Sequence, residues 1–548
     1  MLRRSLLLAA LIAMLILGAS SASAQDVFTL TLMHTNDTRA SHLPDQNDVG
    51  GAAREATVVT GIRAEVENSL LVDAGGRFTG SLFHRVYAGQ DNVQIMNALG
   101  YQAMGLGSTE FDNGDATLAQ FIQNVNFPVL GANIDASASP ELADLIQPYT
   151  VIDVNGMLIG VIGIITADTP RLSSPSAGVV FSDDYANVVQ TQVGVLAELG
   201  INKILLLSYL GYDQDVLLAP QLGGVDVIVG GNTRTLLSNA QEDAAGGYPT
   251  VSAGTDGNPI LIVQSGGGAR GELRFMGRLD LTFDAGGVLI DWTGDTILLD
   301  TTIRPDGDVA ALIDTLNEQV QIERQRTIRT PAGDPVMVAG TWNVNVCRIR
   351  ECELGNLVAD SLRWYTGTQI ALINGGAMRG GLQEGQLLRG NILEFLPYSN
   401  RLTTFTVSGA TLLQALENGV SRVSESSGTG RFPQVAGIRY TYDLSQPPFS
   451  RITNVEVLGA DGAAYEPLDP DALYSIVTND FMRKGGDGYS MFAENGLDAE
   501  DTTVFFDDVF ESYVREHSPL NPQLEGRITV LNSPDAAPQA TPEATPAT

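Results

Sequence analysis

Short runs of apolar and β-branched residues alternate with amphipathic stretches over residues 27–300. The runs FTLTLMHTND, SLLVDAGG, LIGVIGIIT and NKILLLSYLG reach Gly, Asn, Asp or Ser where a strand would pass into a loop. Between them, DNVQIMNALG and ANVVQTQVGVLAELG show helical spacing. This alternation predicts an α/β layered domain, and functional residues in such domains collect on the loops beyond the strand ends.

The pattern changes after residue 300. Residues 301–335 predict a helix and a connector, with Asp306 or Asp308 capping the start and Pro331 and Gly333 ending the helix. A second α/β unit is predicted over residues 336–532. Residues 533–548 are rich in Pro, Ala and Thr and cannot bury a core, which predicts a disordered tail.

The first residues have the pattern of an export signal. Arg3 and Arg4 precede an apolar run from Leu6 to Leu17, and small residues at 22–24 form a cleavage site. This predicts a signal peptide over residues 1–24, since the apolar run is short for a membrane span. An uncleaved anchor is the alternative. We expect a secreted, periplasmic or cell-surface protein without stable membrane insertion.

Charge restricts the partners of this chain. Its 548 residues include 31 Lys and Arg against 64 Asp and Glu, a net charge of −33. So acidic a surface repels nucleic-acid polymers and anionic lipid. It also opposes small anions, so any phosphate site must depend on a few well-placed arginines.

The chain has two cysteines, Cys347 and Cys352. In an exported protein they are expected to form a disulfide that closes a short loop. Two free thiols are the alternative.

Candidate phosphate-binding residues cluster in the second unit. Asn374–Gly376 follow the apolar run IALI and form a tight loop where the backbone can approach a ligand. Arg379 comes shortly after this loop. Arg348 and Arg401 supply further guanidinium donors of the kind that bind phosphate.

Residues suited to a nucleoside follow the arginines. Phe432 and Phe481 stand in glycine-bounded loops, and two aromatic rings can stack on a planar base. Asp487, in GGDG, can accept hydrogen bonds from ribose hydroxyls. Together these residues predict a nucleotide- or nucleoside-binding site.

These segments resemble the C-terminal domain of the 5′-nucleotidase family, which includes ecto-5′-nucleotidase and periplasmic UDP-sugar hydrolase. The resemblance rests on CRIREC with GNLVAD, NGGAMRG, FLPYSN, GRFPQVAGIRY and NDFMRKGGDGY. It implies that arginines and an asparagine line the phosphate end or its approach, that two phenylalanines stack the base and that an aspartate binds the ribose. The implied residues are Arg348, Asn374, Arg379, Arg401, Phe432, Phe481 and Asp487.

Residues 27–300 resemble the calcineurin-like metallophosphoesterase domain of the same family. The framework matches are HTND, GGAAR, DAG and EFDNG, with VLGANI, GVIGIIT and VDVIVGG beyond them. The resemblance implies a four-layer α/β/β/α fold. In active members it also implies two divalent metals, Zn²⁺ or Mn²⁺, which clamp the attacking and leaving oxygens.

The metal-ligand positions of the family are largely replaced in this sequence. Of seven ligand positions only Asp37 is retained, and the other six hold Arg39, Gly76, Ser108, Tyr209, Asn232 and Arg234. The catalytic histidine is replaced by Thr109, while its acidic partner survives as Asp112. Because Arg39 and Arg234 bring fixed positive charge to the metal positions, we expect no metal cofactor.

Three functions remain open at this point. The first is an exported protein that binds nucleotides or nucleosides without hydrolysing them, a pseudoenzyme. The second is an active nucleotide phosphohydrolase that uses a non-standard site. The third is a surface scaffold or partner-binding protein that keeps only the fold.

Overall fold

The computed structural model describes residues 27–267, 273–328, 336–398, 400–424, 428–459, 462 and 464–532. The predicted signal peptide, the tail, and Pro331 and Gly333 of the connector lie outside these residues. In the part of the chain that is described, no helix is long and apolar enough to cross a bilayer.

Fourteen strands and seven helices form the first domain in the described residues. The strands are β1 Phe28–Thr35, β2 Ser69–Asp73, β3 Ala103–Gly105, β4 Val129–Leu130, β5 Ile134–Asp135, β6 Tyr149–Val154, β7 Met157–Ile165, β8 Val180–Phe181, β9 Ile204–Tyr209, β10 Val227–Gly230, β11 Thr250–Ala253, β12 Pro259–Val263, β13 Phe275–Phe283 and β14 Leu289–Leu298. The helices are α1 Ala52–Glu65, α2 Leu82–Tyr87, α3 Gln90–Leu99, α4 Gly114–Asn124, α5 Thr169–Leu172, α6 Tyr185–Glu198 and α7 Tyr212–Leu218.

Two six-stranded sheets of this domain pack face to face. Their strand orders are β14-β13-β1-β2-β3-β4 and β11-β12-β10-β9-β7-β6. Leu32 and Val72 of the first sheet share one buried cluster with Leu207 and Val229 of the second. Helices cover both outer faces, so the four-layer α/β/β/α prediction is confirmed. Burial on both faces explains why the strands read as nearly continuous apolar runs.

The connector helix α8, Gly307–Gln325, begins at Asp306, whose carboxylate accepts from the backbone N–H groups of Asp308 and Val309 at 3.0 Å. Asp306 rather than Asp308 is therefore the cap. Val309, Leu316 and other apolar residues of α8 pack into the helical layer of the first domain.

The second domain contains strands β15 Val336–Asn343, β16 Ile370–Asn374, β17 Gly381–Gln386, β18 Arg401–Ser408, β19 Pro433–Ala436, β20 Ile438–Asp443, β21 Ile452–Leu458, β22 Tyr465–Pro467, β23 Leu473–Asn479, β24 Leu497–Phe505 and β25 Ile528–Leu531. Its helices are α9 Glu353–Thr366, α10 Arg389–Phe395, α11 Gly409–Val420, α12 Asp480–Arg483, α13 Ser490–Asn495 and α14 Phe506–His517.

A five-stranded sheet, β19-β16-β23-β18-β24, forms the centre of this domain. One face packs with α9 and α14, and the other packs with α11. A second sheet, β22-β21-β20-β25, adjoins it.

Ion pairs centred on the buried Asp507 join the two domains at the start of α14. Arg85 of the first domain contacts Asp507 and Asp508 at 2.9 Å. Arg389 pairs with the same two carboxylates and with Glu511 at 3.0 Å. Burial raises the pKa of Asp507, and Arg85 and Arg389 oppose that rise. The Asp507 carboxylate therefore depends on both arginines.

Replacing Arg389 with methionine is expected to lower the free energy of unfolding by about 3–5 kcal/mol, since it leaves the buried Asp507 short of a cation. The side chains of Arg389 and Asp507 are each 3% exposed. Urea denaturation measures the change. The matched control is Arg515→Met, whose side chain is 46% exposed and whose loss should cost about 1 kcal/mol or less. Equal effects of the two substitutions would contradict the prediction.

Candidate functional site

A cavity of about 460 Å³ lies between the two domains. Its first-domain wall consists of Arg39, Thr79, Ser108, Thr109, Asp112, Arg171, Leu172, Ser173, Ser174 and Asn232. Its second-domain wall consists of Arg348, Asn374, Gly376, Ala377, Arg379, Tyr398, Asn400, Gly430, Asp480, Phe481, Lys484 and Asp487. Arg39, Ser108 and Asn232, at metal-ligand positions implied by the family resemblance, therefore face the same space as residues of the predicted nucleotide site.

Strand polarity brings the first-domain residues together. β1, β2, β3 and β4 run parallel in one sheet, and β7, β9, β10 and β12 run parallel in the other. The loops after their carboxyl ends therefore meet at one edge of each sheet. Asp37 follows β1, Gly76 follows β2, Ser108 follows β3 and Asn232 follows β10, while Tyr209 is the last residue of β9.

Asp37, the one retained ligand residue, is fully buried and hydrogen-bonded within the protein. Its carboxylate accepts from the Asn36 amide at 2.9 Å and from the Tyr209 hydroxyl at 2.8 Å. Burial raises the pKa of Asp37, and Arg39, Asn36 and Tyr209 oppose that rise. Both carboxylate oxygens are thus engaged by neighbouring side chains.

The side chain of Tyr209 packs against Gly76, Gly107 and Gly231. A Cβ atom added at Gly76 would lie 2.7 Å from the Tyr209 hydroxyl. Cβ atoms added at Gly107 and Gly231 would each lie 2.8 Å from its ring carbons. Because such contacts are too short for carbon, a carboxylate side chain at position 76 and the tyrosine ring at position 209 exclude each other.

Arg39 lines the cavity beside this buried centre. Its backbone has a positive φ of 53°, and its N–H donates to Gly76 at 2.9 Å. Its buried Nε has no hydrogen-bond partner among the described residues. Burial lowers the pKa of Arg39, but Tyr209, Asp37 and other acidic groups outweigh burial and raise it overall. The guanidinium is therefore cationic.

The other replaced positions supply neutral donors. Ser108, Thr109 and Asn232 all line the cavity. Arg234 lies outside the wall, with its stem beside Gly267. Two arginines were expected to bring positive charge to the metal positions. Arg39 lines the cavity and Arg234 does not.

Two acids hold the loops around the cavity. Glu110 accepts backbone hydrogen bonds from Gly76, Arg77, Phe78 and Gly107 at 2.6–3.1 Å. Burial raises the pKa of Glu110 to about 7, although these four hydrogen bonds act to lower it. Asp112 accepts from the hydroxyls of Thr79 and Ser173, and burial raises its pKa also.

The residues present do not fit a two-metal site. Such a site needs several imidazoles and a bridging carboxylate, whereas the retained acid is hydrogen-bonded to tyrosine and lies near a guanidinium. In the described ranges, no group of three or more His, Cys, Asp and Glu side chains could hold a metal ion.

The histidines are engaged elsewhere in the fold. The rings of His34, His42 and His84 are buried against Tyr248, Asp91 and Asn113 at 2.7–2.9 Å. The fourth, His517, stacks on Tyr513 at the end of α14. His42 belongs to a loop of the sequence, but its contact with Asp91 of α3 holds its ring in the interior.

Polar residues of the second-domain wall hold one another in place. The Asn374 amide donates to Asp487 at 2.7 Å and accepts from Asn479 at 3.0 Å. Asp487 has a left-handed backbone, with φ of 54°, which directs the turn that carries it. Arg379 donates to the carbonyl oxygens of Gly376 and Met378 and to the Tyr398 hydroxyl.

Two aromatic side chains line the cavity, and only one of them was predicted. Phe481 is 36% exposed and Tyr398 is 41% exposed. Phe432, predicted to stack the base, has no exposed surface and packs against Tyr442 in the core. Phe432 immediately precedes strand β19, all of whose residues are buried, and its ring belongs to the hydrophobic core. The FLPYSN motif contained the signal for Tyr398, a large ring in a polar loop.

Arg401 is a further correction. It does not line the cavity, and its guanidinium lies 5.0 Å above the ring of Phe505. Arg348 does line it, and the buried Nε of Arg348 has no hydrogen-bond partner among the described residues. Cys347 and Cys352 form a disulfide beside Arg348, with their Cα atoms 5.1 Å apart.

The cavity is more basic than the protein around it. Its walls hold five cationic side chains, Arg39, Arg171, Arg348, Arg379 and Lys484, against three carboxylates, Asp112, Asp480 and Asp487. Burial also raises the pKa of Asp112 and of Asp480. In a chain of net charge −33, this local excess favours a small anionic ligand.

Comparison with known proteins gives consistent matches over most of the chain. Residues 335–494 match the family model described as "5′-nucleotidase, C-terminal domain". The chain is 34% identical to a 5′-nucleotidase of Rattus norvegicus, over 91% of this chain and 90% of that protein. It is 33% identical to a snake venom 5′-nucleotidase of Naja atra, over 91% and 98%. Among solved structures, a 5′-nucleotidase precursor from Thermus thermophilus is 39% identical, covers 92% of this chain and 100% of its own, and has a TM-score of 0.68.

The packing of Tyr209 against glycine gives a testable coupling. Gly231→Ala is expected to destabilise the protein by about 1–3 kcal/mol, because the added methyl meets the tyrosine ring. In a Tyr209→Ala background the same substitution should cost much less. Urea denaturation of the four proteins of this double-mutant cycle measures the coupling.

Gly194→Ala is the control for this cycle, since a Cβ there meets nothing within 4 Å. Gly194 lies in helix α6, where alanine should leave stability unchanged or raise it by up to about 1 kcal/mol. Additive costs of Gly231→Ala and Tyr209→Ala would refute the packing argument.

Proposed function

This chain belongs to the 5′-nucleotidase family, and we propose that it binds nucleotides or nucleosides through its second domain, with metal-dependent hydrolysis of phosphate esters lost or strongly altered. The observation that carries this proposal is the cavity between the two domains, because its two walls carry different chemical groups. Its second-domain wall keeps aromatic, amide, carboxylate and guanidinium groups suited to a nucleotide. Its first-domain wall presents Arg39 together with hydroxyl and amide side chains at positions where family members would bind metals.

The second-domain wall has a component for each part of a nucleoside ligand. Phe481 and Tyr398 offer exposed rings for stacking on a base. Asp487 is held by Asn374 at the cavity surface and can accept from ribose hydroxyls. Arg348 and Arg379 bring cations toward a phosphate group.

Hydrolysis lacks comparable support. The hydroxyl of Thr109 cannot exchange a proton near neutral pH as an imidazole can. The Asp37 carboxylate is occupied by Asn36 and Tyr209, and the described residues contain no group of three or more His, Cys, Asp and Glu side chains that could hold a metal ion. Relatives of this chain are described as 5′-nucleotidases, which keeps an active enzyme with a non-standard site as the competing function.

The proposed location is outside the cytoplasm, in a secreted, periplasmic or cell-surface form. The export pattern of residues 1–24 and the disulfide between Cys347 and Cys352 support it.

The first test separates binding from turnover. Isothermal titration calorimetry of the purified full chain with AMP and adenosine should give the same dissociation constants in EDTA as in Mn²⁺ or Zn²⁺. Phosphate release from AMP should stay at the uncatalysed rate in all of these conditions, and elemental analysis should find no stoichiometric transition metal.

Two results would favour the competing function. One is metal-dependent phosphate release that Asp37→Ala abolishes. The other is two equivalents of transition metal in the purified protein. If titration with millimolar AMP or adenosine gives no heat of binding, the binding function and the enzymatic function are both rejected. The scaffold function then remains.

The second test concerns the aromatic rings. Phe481→Ala and Tyr398→Ala should each weaken AMP binding by about 10- to 100-fold, because stacking on a base is worth about 1–3 kcal/mol. Tyr365→Ala, which removes an exposed ring outside the cavity, is the control and should leave affinity unchanged. Equal affinities of all four proteins would mean that the base does not bind between these rings.

A further inference from the structure

We propose that the former metal position is an anion subsite, centred on Arg39, that takes the phosphate group of a nucleoside phosphate without any metal. The inference rests on the proposed function and narrows its ligand class from nucleosides and nucleotides to nucleoside phosphates. A guanidinium would thereby replace divalent cations as the group that neutralises the phosphate.

The placement of Arg39 is the first support. The backbone bonds of Asp37 to Gly75 and of Arg39 to Gly76, at 2.8 and 2.9 Å, tie this loop to the neighbouring one. The side chain reaches the cavity with a buried Nε that no described residue engages. A buried guanidinium donor that lines a cavity and has no protein partner is available to a ligand or to water.

The cavity wall that contains Arg39 also holds neutral polar side chains. Ser108 presents a hydroxyl at the start of a short 3₁₀ helix. The Asn232 amide, which donates to the Leu210 carbonyl at 3.4 Å, keeps a second N–H, and the Thr109 hydroxyl donates to Glu110 at 3.3 Å. Hydroxyls and amides complete the hydrogen bonding of phosphate oxygens that one guanidinium leaves open.

The opposite wall points to the same ligand. The Nε of Arg348 in the second domain is also buried, has no partner among the described residues and lines the same cavity. An anion between the two domains would neutralise both guanidinium groups. A nucleoside whose base lies against Tyr398 and Phe481 carries no group that could do this unless it is phosphorylated.

The negative groups nearby are restrained. Asp37 is covered by Tyr209 and Asn36. Asp112 accepts from Thr79 and Ser173, and its raised pKa weakens its repulsion of an anion. Asp480 and Asp487 lie on the second-domain wall, where Asp487 is bonded to Asn374.

The experiment is calorimetric titration of the full chain with AMP and with adenosine in EDTA. Wild type should bind AMP at least tenfold more tightly than adenosine. Arg39→Gln should lose at least tenfold in AMP affinity and stay within twofold for adenosine, whereas Arg39→Lys should fall between. Arg278→Gln removes a cation of strand β13 outside the cavity and should change neither constant.

Asn232→Asp is a second variant, which keeps side-chain shape at a left-handed backbone position (φ 74°) that aspartate tolerates. It adds negative charge to the same wall and should also weaken AMP but not adenosine. Melting temperatures near that of wild type would show that the variants fold.

Folded Arg39→Gln and Asn232→Asp proteins with the wild-type ratio of AMP to adenosine affinity would overturn the inference. Melting temperatures measured with inorganic phosphate distinguish failure of the anion subsite from failure of the proposed function. If phosphate raises the melting temperature of wild type but not of Arg39→Gln, the anion subsite stands even where neither AMP nor adenosine binds. If neither nucleoside ligand nor phosphate binds, both proposals fail.

Discussion

The hydrogen bond from Tyr209 to Asp37, made inside a space bordered by three glycines, constrains the rest of the first-domain site. The aromatic ring occupies volume that Gly76, Gly107 and Gly231 leave open. A side chain at any of these positions would meet the ring or the backbone next to it. The residues at positions 76 and 209 therefore form one packed unit, and a carboxylate side chain introduced at position 76 alone would clash with Tyr209.

The loops around this unit keep their shape by means other than metal binding. The Glu110 carboxylate collects four backbone N–H groups of the neighbouring loops. Asp73 pairs with the buried Arg77 at 2.8 Å. Because these bonds are internal to the protein, loss of metal ligands need not collapse the cavity. This explains how a first-domain wall with altered chemistry still faces an ordered second-domain wall.

Sequence patterns predicted the layers of the fold because both faces of the central strands are buried, and they placed most site residues because strand ends mark the loops that carry them. They failed where the position of a side chain depends on its orientation or on contact with a residue far away in the sequence. Phe432 and Tyr398 are both aromatic residues near loops, and packing against distant core residues such as Tyr442 distinguishes the buried Phe432 from the exposed Tyr398. Arg401 lies against Phe505, a residue far away along the chain, and no local pattern indicates that contact.

A phosphate can be bound by divalent metals or by a guanidinium, and the electrostatics of the cavity distinguish between these two possibilities. Divalent metals need carboxylates and imidazoles free of other partners, whereas Asp37 is already bonded to Tyr209 and Asn36. A guanidinium needs an acceptor, and Arg39 has a buried Nε that lacks one among the described residues. Placing a cation on the chain also removes the requirement that metal be present, at the cost of the polarised water that metals supply for hydrolysis. Under the proposed function, the arginine that opposes metal-dependent catalysis is also the group that favours retention of a phosphorylated ligand.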